Sequence, residues 1–436
     1  MKFIVNFAKT IRNHWKKSIV FTGIGIYGVK YANELYEEDL LRREYCAEAK
    51  KFGDQASSFG EKSRKITVFL NPAARGGRGR KLFEKNAAPL LYLAGIEVNV
   101  VKTEYEGQVK EFFKYLETQH VDGIVVAGGN GTLVETVTGI LRKENTTFSR
   151  KVPVGVIPVG ETNMFATYFY GADKTEVRRM LDAAMAVVKG STEKLDVLKI
   201  EGDGGKTTYA LCGLQAGVYR DARGRASKYW YLGPLKHRFT YLRSSFGLWP
   251  PVMHGKLEYT EARDTDIPVK KAAEKFIEEK PAQQSRSFVM SILGIFSGHF
   301  RSKMQKAAPE AEEDEVEVEY TNTHTVDTNL ESLEITISTG YQTQERKGIS
   351  LGLAPANISK THFISEGWRR ISEPIWKMDW DTNSQVPCRR VKLEPEVNPE
   401  KESWYNIDGE QFEAMPIEVT LLKNKLKFFK CQTQPS

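Results

Sequence analysis

From Lys65 onward, short apolar runs alternate with stretches in which apolar residues return every three or four positions. The first pattern is that of buried strands and the second that of amphipathic helices. KITVFLNP (65–72), IEVNVVKTE (96–104), VDGIVVAGG (121–129) and VPVGVIPVG (152–160) read as strands. RKLFEKNAAPLLYLAG (80–95), GQVKEFFKYLETQH (107–120), TLVETVTGILRK (132–143) and KTEVRRMLDAAMAVVKG (174–190) read as the helices between and after them. Strict alternation of this kind predicts a parallel sheet with helices on both faces, and ligands at the carboxyl ends of its strands. After LDVLKI (195–200) the pattern changes. LDVLKIEGDGGKTTYALCGL reads as a hairpin, and KLEYTE, SLEITIST, RKGISLGLAP, THFISEG, RRVKLEP, SWYNIDG and MPIEVTLL read as short strands of a mostly antiparallel second domain. The fold class is therefore α/β: a parallel-sheet nucleotide-binding domain followed by a mostly antiparallel β domain.

Two stretches fit neither pattern. Phe3, Phe7, Ile11 and Trp15 recur every four residues in a start that carries five Lys or Arg and no acid before Glu34. An apolar run of 12 residues, SIVFTGIGIYGV (18–29), follows. A bilayer span needs about 20 apolar residues, so this run would have to recruit its flanks. A basic, acid-poor amphipathic start has the character of a mitochondrial targeting segment, and a plain docking helix is the alternative. Residues 1–60 are set apart as this segment, 61–194 as the parallel-sheet domain, and 195–436 as the β-rich domain. A helical insertion is expected at about 265–320, where Phe288, Ile292, Phe296 and Phe300 share one helical face within 286–306. That face either packs on its own domain or lies in a membrane interface.

Composition narrows the partners. The 436 residues carry a formal charge of +7, which favours anionic partners such as nucleotide phosphates or acidic lipid surfaces without calling for nucleic acid. Cys46, Cys212, Cys388 and Cys431 show no CxxC spacing, which argues against zinc and for free thiols.

Three loops fall at carboxyl ends of the predicted parallel strands. NPAARGGRGR (71–80) is Gly-rich and carries Arg75, Arg78 and Arg80. GGNGT (128–132) opens a helix, so its backbone N–H groups and the positive helix end suit phosphate. PVGETNMFA (158–166) supplies Gly160, Thr162 and Asn163. One such junction is a weak signal, since it can be only a tight turn. Three on one rim make a polyanion pocket. Gly205-Lys206-Thr207 is not a Walker loop, because the glycine required five residues earlier is Ile200.

These motifs, in this order and spacing, resemble the diacylglycerol-kinase catalytic domain shared by lipid kinases, sphingosine and ceramide kinases among them. GVYRDARGRASKYWYLGPLKHRFTYL (217–242) and NIDGEQFEAMPIEV (406–419) are similar to the family's later blocks, the second holding its Asp-Gly-Glu signature. TIRNHWKK (10–17), LFEKNAAPLL, VKTEYEGQ and SKYWYLGPLK resemble its acylglycerol-kinase branch, so the likeness covers nearly the whole chain. The resemblance implies ATP-dependent phosphorylation of monoacyl- and diacylglycerol, with magnesium. It makes 61–194 an ATP-binding kinase domain and 195–436 a lipid-binding domain. By the same resemblance Gly128, Gly129, Gly131 and Thr132 wrap the phosphates, and Asn71, Arg75, Gly160, Glu161, Thr162 and Asn163 surround the nucleotide. Lys236 approaches the triphosphate and Asp221 the lipid headgroup. Asp408 positions metal-bound phosphate and Glu410 deprotonates the glycerol hydroxyl. The alternative for Asp408–Glu410 is a charged hairpin tip.

The resemblance also implies an address, the mitochondrial inner membrane facing the intermembrane space. It implies a rival role as well, as a subunit of the translocase that inserts carrier proteins there, which does not need kinase activity. The family's GGDGT is GGNGT here, so Asn130 stands where an aspartate is usual and strengthens that rival. A soluble nucleotide kinase of the NAD-kinase type would leave the 227–236 block and the membrane-seeking ends unexplained.

Overall fold

A computed structural model of the chain describes residues 15–58, 63–116, 121–143, 146–247, 249–262, 267–269, 319–321, 324–339, 348–372, 385–396 and 403–430. Residues 1–262 and 325–436 form one compact unit and 263–324 a second. Of the second, strands β9 (Ile267–Val269) and β10 (Glu319–Thr321) pair antiparallel. The rest of the expected insertion, including 286–306, lies outside the described residues.

In the first unit β1 (Lys65–Leu70), β2 (Glu97–Lys102), β3 (Gly123–Gly128) and β4 (Val154–Pro158) form a parallel sheet in the order β4-β3-β1-β2. β3 and β4 are buried throughout, which is why they read as unbroken apolar runs. β2, at the edge, alternates exposed and half-buried positions. The register pairs Leu70 with Ala127 and Gly128 with Pro158, so the three strands end level. Asn71 N–H then donates to Ala127 O at 3.0 Å and Gly160 N–H to Gly128 O at 3.1 Å, carrying the sheet's bonding one step into the loops.

Beyond β4 the sheet becomes antiparallel through β17 (Ile417–Phe429). It pairs with β14 (Gln385–Pro395), with β5 (Thr192–Gly202) and, at the single pair Phe428–Val154, with β4. Its register against β5 shifts between Leu422 and Leu426, where Asn424 has φ 51° and its N–H donates to Asp196 Oδ1. The shift lets one strand serve two cores. Ile417 and Val419 belong to the core under the antiparallel strands, Leu426, Phe428 and Phe429 to the core under the parallel ones.

The expected strand THFISEG is instead part of helix Lys360–Ser372. Ser359 Oγ accepts from His362 N–H, an N-cap, and Phe363, Gly367 and Arg370 fall on one buried face. The β-branched and aromatic residues of this stretch suit a strand, and the Ser359 cap starts a helix instead.

Helix α1 (Trp15–Ser58) takes up the predicted 18–29 apolar run. Its second half docks: Ala49 enters the core, Leu41, Tyr45 and Phe52 pack on it, and Tyr45 Oη donates to Asp182 Oδ1 at 2.6 Å. Its first half exposes Val20, Ile24, Tyr27 and Val29. No helix among the described residues is long and apolar enough to cross a membrane. Among the described residues Cys46, Cys212 and Cys388 are free thiols.

Candidate active site

The loop after β3 runs straight into helix α2 (Asn130–Leu141) with Gly129 as its N-cap residue and no side chain of its own capping it. Two glycines make this possible by close approach. A Cβ on Gly160 would stand 2.3 Å from Gly129 Cα, and one on Gly128 2.7 Å from Thr132 Oγ1. The 158–163 loop is therefore laid directly on the 128–132 loop. Asn163 stiffens it, its Nδ2 donating to Gly160 O at 2.7 Å while its Oδ1 accepts from Gly160 N–H at 3.1 Å. Thr162 O accepts from Asn130 N–H at 3.1 Å, and the side chains of Glu161 and Thr162 stay exposed. On the other side Asn71 Nδ2 donates to Thr132 Oγ1 at 3.3 Å. The three predicted loops thus meet around one helix N-terminus.

Asn130 is only 3% exposed. Its Oδ1 accepts from Met164 N–H at 2.7 Å, and its Nδ2 is buried without a hydrogen-bond partner. That nitrogen faces Gly409, where an added Cβ would come within 2.1 Å of it. Here the C-terminal signature arrives. β15 (Trp404–Ile407) and β16 (Glu410–Glu413) form a hairpin whose two-residue loop, Asp408-Gly409, has φ 48° and 94°. Positive φ at both positions is the type I′ pattern, and Asp-Gly is its preferred pair.

The two carboxylates of this turn do different things. Asp408 is 3% exposed, and its oxygens accept from Leu211 N–H (2.6 Å), Cys212 N–H (2.8 Å) and Gly213 N–H (2.9 Å). Burial pushes its pKa up to about 6 even though these donors pull it down. The expected metal-positioning residue is therefore engaged by backbone, and it locks the turn to the 211–213 segment. Glu410 is half-buried, its carboxylate lying 3.1 Å from where a Cβ on Gly131 would be. Burial raises its pKa, the Gly131 N–H it accepts from lowers it, and the nearby charge of Glu106 raises it. Glu410 thus occupies the first turn of α2, beside the place a phosphate would take.

The remaining candidates lie outside this cluster. Arg75, with φ 54°, gives Nη2 to Glu176 Oε1 at 2.6 Å. That contact lowers the Glu176 pKa, so the guanidinium is held at the rim by a neighbour. Arg80 pairs with Glu84 at 2.6 Å on the outside of the next helix. Asp221 sits on α3 (Val218–Gly224) and accepts from the buried Arg220 Nη1 at 3.1 Å. Lys236 is half-buried in the first turn of α4 (Lys236–Ser244). Among the described residues no hydrogen bond or ion pair joins Asp221 or Lys236 to the three loops. The bridge is indirect: Gly224, at the end of α3, lies against Gln411 Nε2 in the hairpin.

Sequence reasoning missed Gly409 and Met164, which close over Asn130, and Glu106, whose charge reaches Glu410. The Asp-Gly pair was a visible turn signal for the first; a lone glutamate on a loop carries none. It also missed a buried ion pair, Arg370 Nη1 to Glu334 Oε2 at 2.9 Å, with the Arg370 guanidinium 3.8 Å over the Tyr219 ring. These tie the 360–372 helix to the strand next to β7 (Gly213–Gly217). No three His, Cys, Asp or Glu side chains converge to hold a metal ion among the described residues. With Asp408 engaged by backbone N–H groups, the described residues of this turn do not by themselves make up a magnesium site.

The diacylglycerol kinase catalytic domain family matches residues 65–200 and the acylglycerol kinase C-terminal family residues 211–435. "Acylglycerol kinase, mitochondrial" of Homo sapiens is 37% identical over 97% of this chain and 96% of that protein, and its Mus musculus counterpart 36% over the same shares. Sphingosine kinase 1 of Arabidopsis thaliana is 27% identical over 50% of this chain and 45% of its own. A solved diacylglycerol kinase of Bacillus anthracis str. Sterne is similar over 85% of this chain and 97% of that chain, at 15% identity and TM-score 0.48.

Proposed function

The chain belongs to the acylglycerol kinase family and is a lipid kinase, and from that premise we propose that it moves the γ-phosphate of ATP onto monoacylglycerol and diacylglycerol. The observation that carries the proposal is the meeting of Glu410 with the N-terminus of α2, two features 279 positions apart in the sequence (410 against 131). The α2 end and the glycine loops offer backbone N–H groups to phosphate oxygens. Glu410, its pKa raised by burial, takes the proton of the lipid hydroxyl as that oxygen bonds to the γ-phosphorus and the bond to ADP's bridging oxygen breaks. Asp408 acts as a positioning residue, holding the turn that aims Glu410. Arg75 guards the rim, with Lys236 and Asp221 assigned to triphosphate and lipid headgroup. Magnesium would enter with the nucleotide, and no step is assigned to a protein-held ion.

The address proposed is the mitochondrial inner membrane, intermembrane-space side, through residues 1–33. It is supported by the basic start and by the exposed apolar first half of α1. The second reading, a translocase subunit with little catalysis, is favoured by the uncharged and fully enclosed Asn130. A labelled-ATP assay of the purified chain with monoacylglycerol, diacylglycerol and sphingosine side by side separates them. Phosphorylation of the two acylglycerols above sphingosine supports the kinase reading; no product from any of them favours the subunit.

A further inference from the structure

The segment between α3 and α4, together with the turn just past α4, carries large side chains outward. Trp230 is 77%, Tyr231 64%, Leu235 63% and Phe246 72% exposed. The rings form a chain, Trp230 to Tyr231 at 6.2 Å, Tyr231 to Tyr229 at 6.4 Å and Tyr229 to Phe239 at 5.0 Å. Leu235, Phe239, Leu242 and Phe246 follow a spacing that puts them on one side of α4. A second helix extends the face. Gly367 of the 360–372 helix lies so close to Tyr241 that a Cβ would stand 2.4 Å from the ring. This brings Trp368 beside Arg238, its Nε1 donating to Arg238 O at 3.1 Å with the guanidinium 5.8 Å from the ring.

Charge decides what covers this face. Between Asp221 and Glu258 the chain has no acid but seven Arg or Lys, Lys228, Arg238 and Arg243 among them. Glu366, the one acid of the second helix, is held by Arg369 at 2.8 Å and Arg370 at 2.7 Å. Protein interfaces keep charge out of their apolar centre. Here cations are interleaved with the rings, the composition that sits at the headgroup level of a negatively charged bilayer.

We infer that this face docks on an anionic lipid surface, a membrane contact separate from the N-terminal segment. It adjoins the site, since α3 leads into it from the Gly224–Gln411 contact. A bilayer held there presents its lipid at the hairpin end that carries Glu410.

The test uses the full chain, so the N-terminal contact is common to every arm. Binding to phosphatidylcholine vesicles with and without phosphatidylserine is measured for wild type, for a Trp230→Ala/Tyr231→Ala/Phe246→Ala triple variant and for Lys228→Gln/Arg243→Gln. Losing the rings should weaken binding by roughly tenfold per side chain on phosphatidylserine vesicles. Losing the cations should cost roughly fivefold each at low salt and little at high salt. Quenching of tryptophan fluorescence by brominated lipid should fall in Trp230→Phe. Turnover of the triple variant should drop on vesicle-borne diacylglycerol and stay unchanged on a dispersed short-chain one. Unaltered vesicle binding in both multiple variants overturns the inference, as does equal loss of turnover on both substrates. A dimer that the triple variant converts to monomer, with vesicle binding intact, would assign the face to a second copy instead.

Discussion

The nucleotide-side loops and the Asp408–Glu410 turn meet at the same helix end, yet they are held by opposite means. The loops are fixed by backbone lying on backbone: strands that end level, Gly160 against Gly129, Thr162 O on Asn130 N–H. The side-chain bonds of Asn71, Asn130 and Asn163 add to that contact, which the glycines make possible. The turn is fixed by one side chain, Asp408, which gathers three backbone N–H groups from a segment almost 200 positions away. Shape in the first region is local and steric; in the second it depends on one buried carboxyl group. Substitutions should therefore fail differently in the two places.

The largest effect is expected from Gly160→Ala. Its Cβ meets Gly129 Cα and N, backbone atoms that cannot swing away, so the two loops must part. Overpacking of this kind costs about 1–3 kcal/mol. The fold, with two large cores, should survive while nucleotide binding and turnover disappear together. Isothermal titration with an ATP analogue checks this. Normal affinity in the variant would mean that the loop contact is not part of the binding site.

Glu410→Gln breaks the comparison from the other side. The amide keeps the shape beside Gly131 but no longer takes a proton, so turnover should fall by about 10²–10⁴ with nucleotide affinity retained. In wild type the burial-raised pKa of Glu410 should appear as an acidic limb in the kcat/KM profile, lying above the ordinary glutamate range. Near-normal turnover in the variant would place the base elsewhere.

Asp408→Asn tests the latch. The folded carboxyl titrates at about 6 against an ordinary 3.8, so the folded chain holds this proton more tightly than the unfolded one. Its contribution to stability is then whole below about pH 4 and is lost as pH rises through about 6, a change of about 3 kcal/mol. Asparagine removes that dependence and leaves one of the three N–H groups without an acceptor, at about 1–3 kcal/mol. Urea midpoints measured across this pH range should slope downward for wild type and stay flatter for the variant. Parallel curves would rule out Asp408 as the titrating group.

The same contrast explains what the sequence let one read. Buried strands such as 123–128 announce themselves because both faces are covered, and glycine loops because only glycine allows such contact. The nucleotide-side candidates converge around α2 in the structure, except the Arg75 guanidinium, turned to Glu176, and Lys236, which lies on α4. What was not legible depended on partners distant in sequence. Asp408 looked like a metal-side carboxylate because nothing in Asp-Gly-Glu reveals three N–H donors at 211–213. THFISEG (361–367) reads as a strand because its β-branched and aromatic residues outweigh the single Ser359 cap, and the helix's anchor, the Arg370–Glu334 pair, lies across the fold.

The smallest effect, and the one that bears most directly on the missing aspartate, is expected from Asn130→Asp. An aspartate can keep the bond that Oδ1 accepts from Met164 N–H, and it replaces a nitrogen that has no partner to lose. The loop geometry rests on glycines and backbone, so ATP affinity should not move. What changes is charge. The new oxygen faces Gly409, between the carboxylates of Asp408 and Glu410 in the chain and one residue from the N–H that Glu410 accepts. A second negative charge there favours the protonated form of Glu410 and raises its pKa further. The acidic limb of the kcat/KM profile should therefore shift to higher pH, with at most a few-fold gain in turnover on its alkaline side, where Glu410 is a stronger base. Measuring that profile for both proteins with diacylglycerol decides the matter. A shifted limb joins Asn130 to the chemistry of the turn. An unmoved limb with equal turnover confines it to the steric region, as a side chain that only fills the space between Met164 and Gly409.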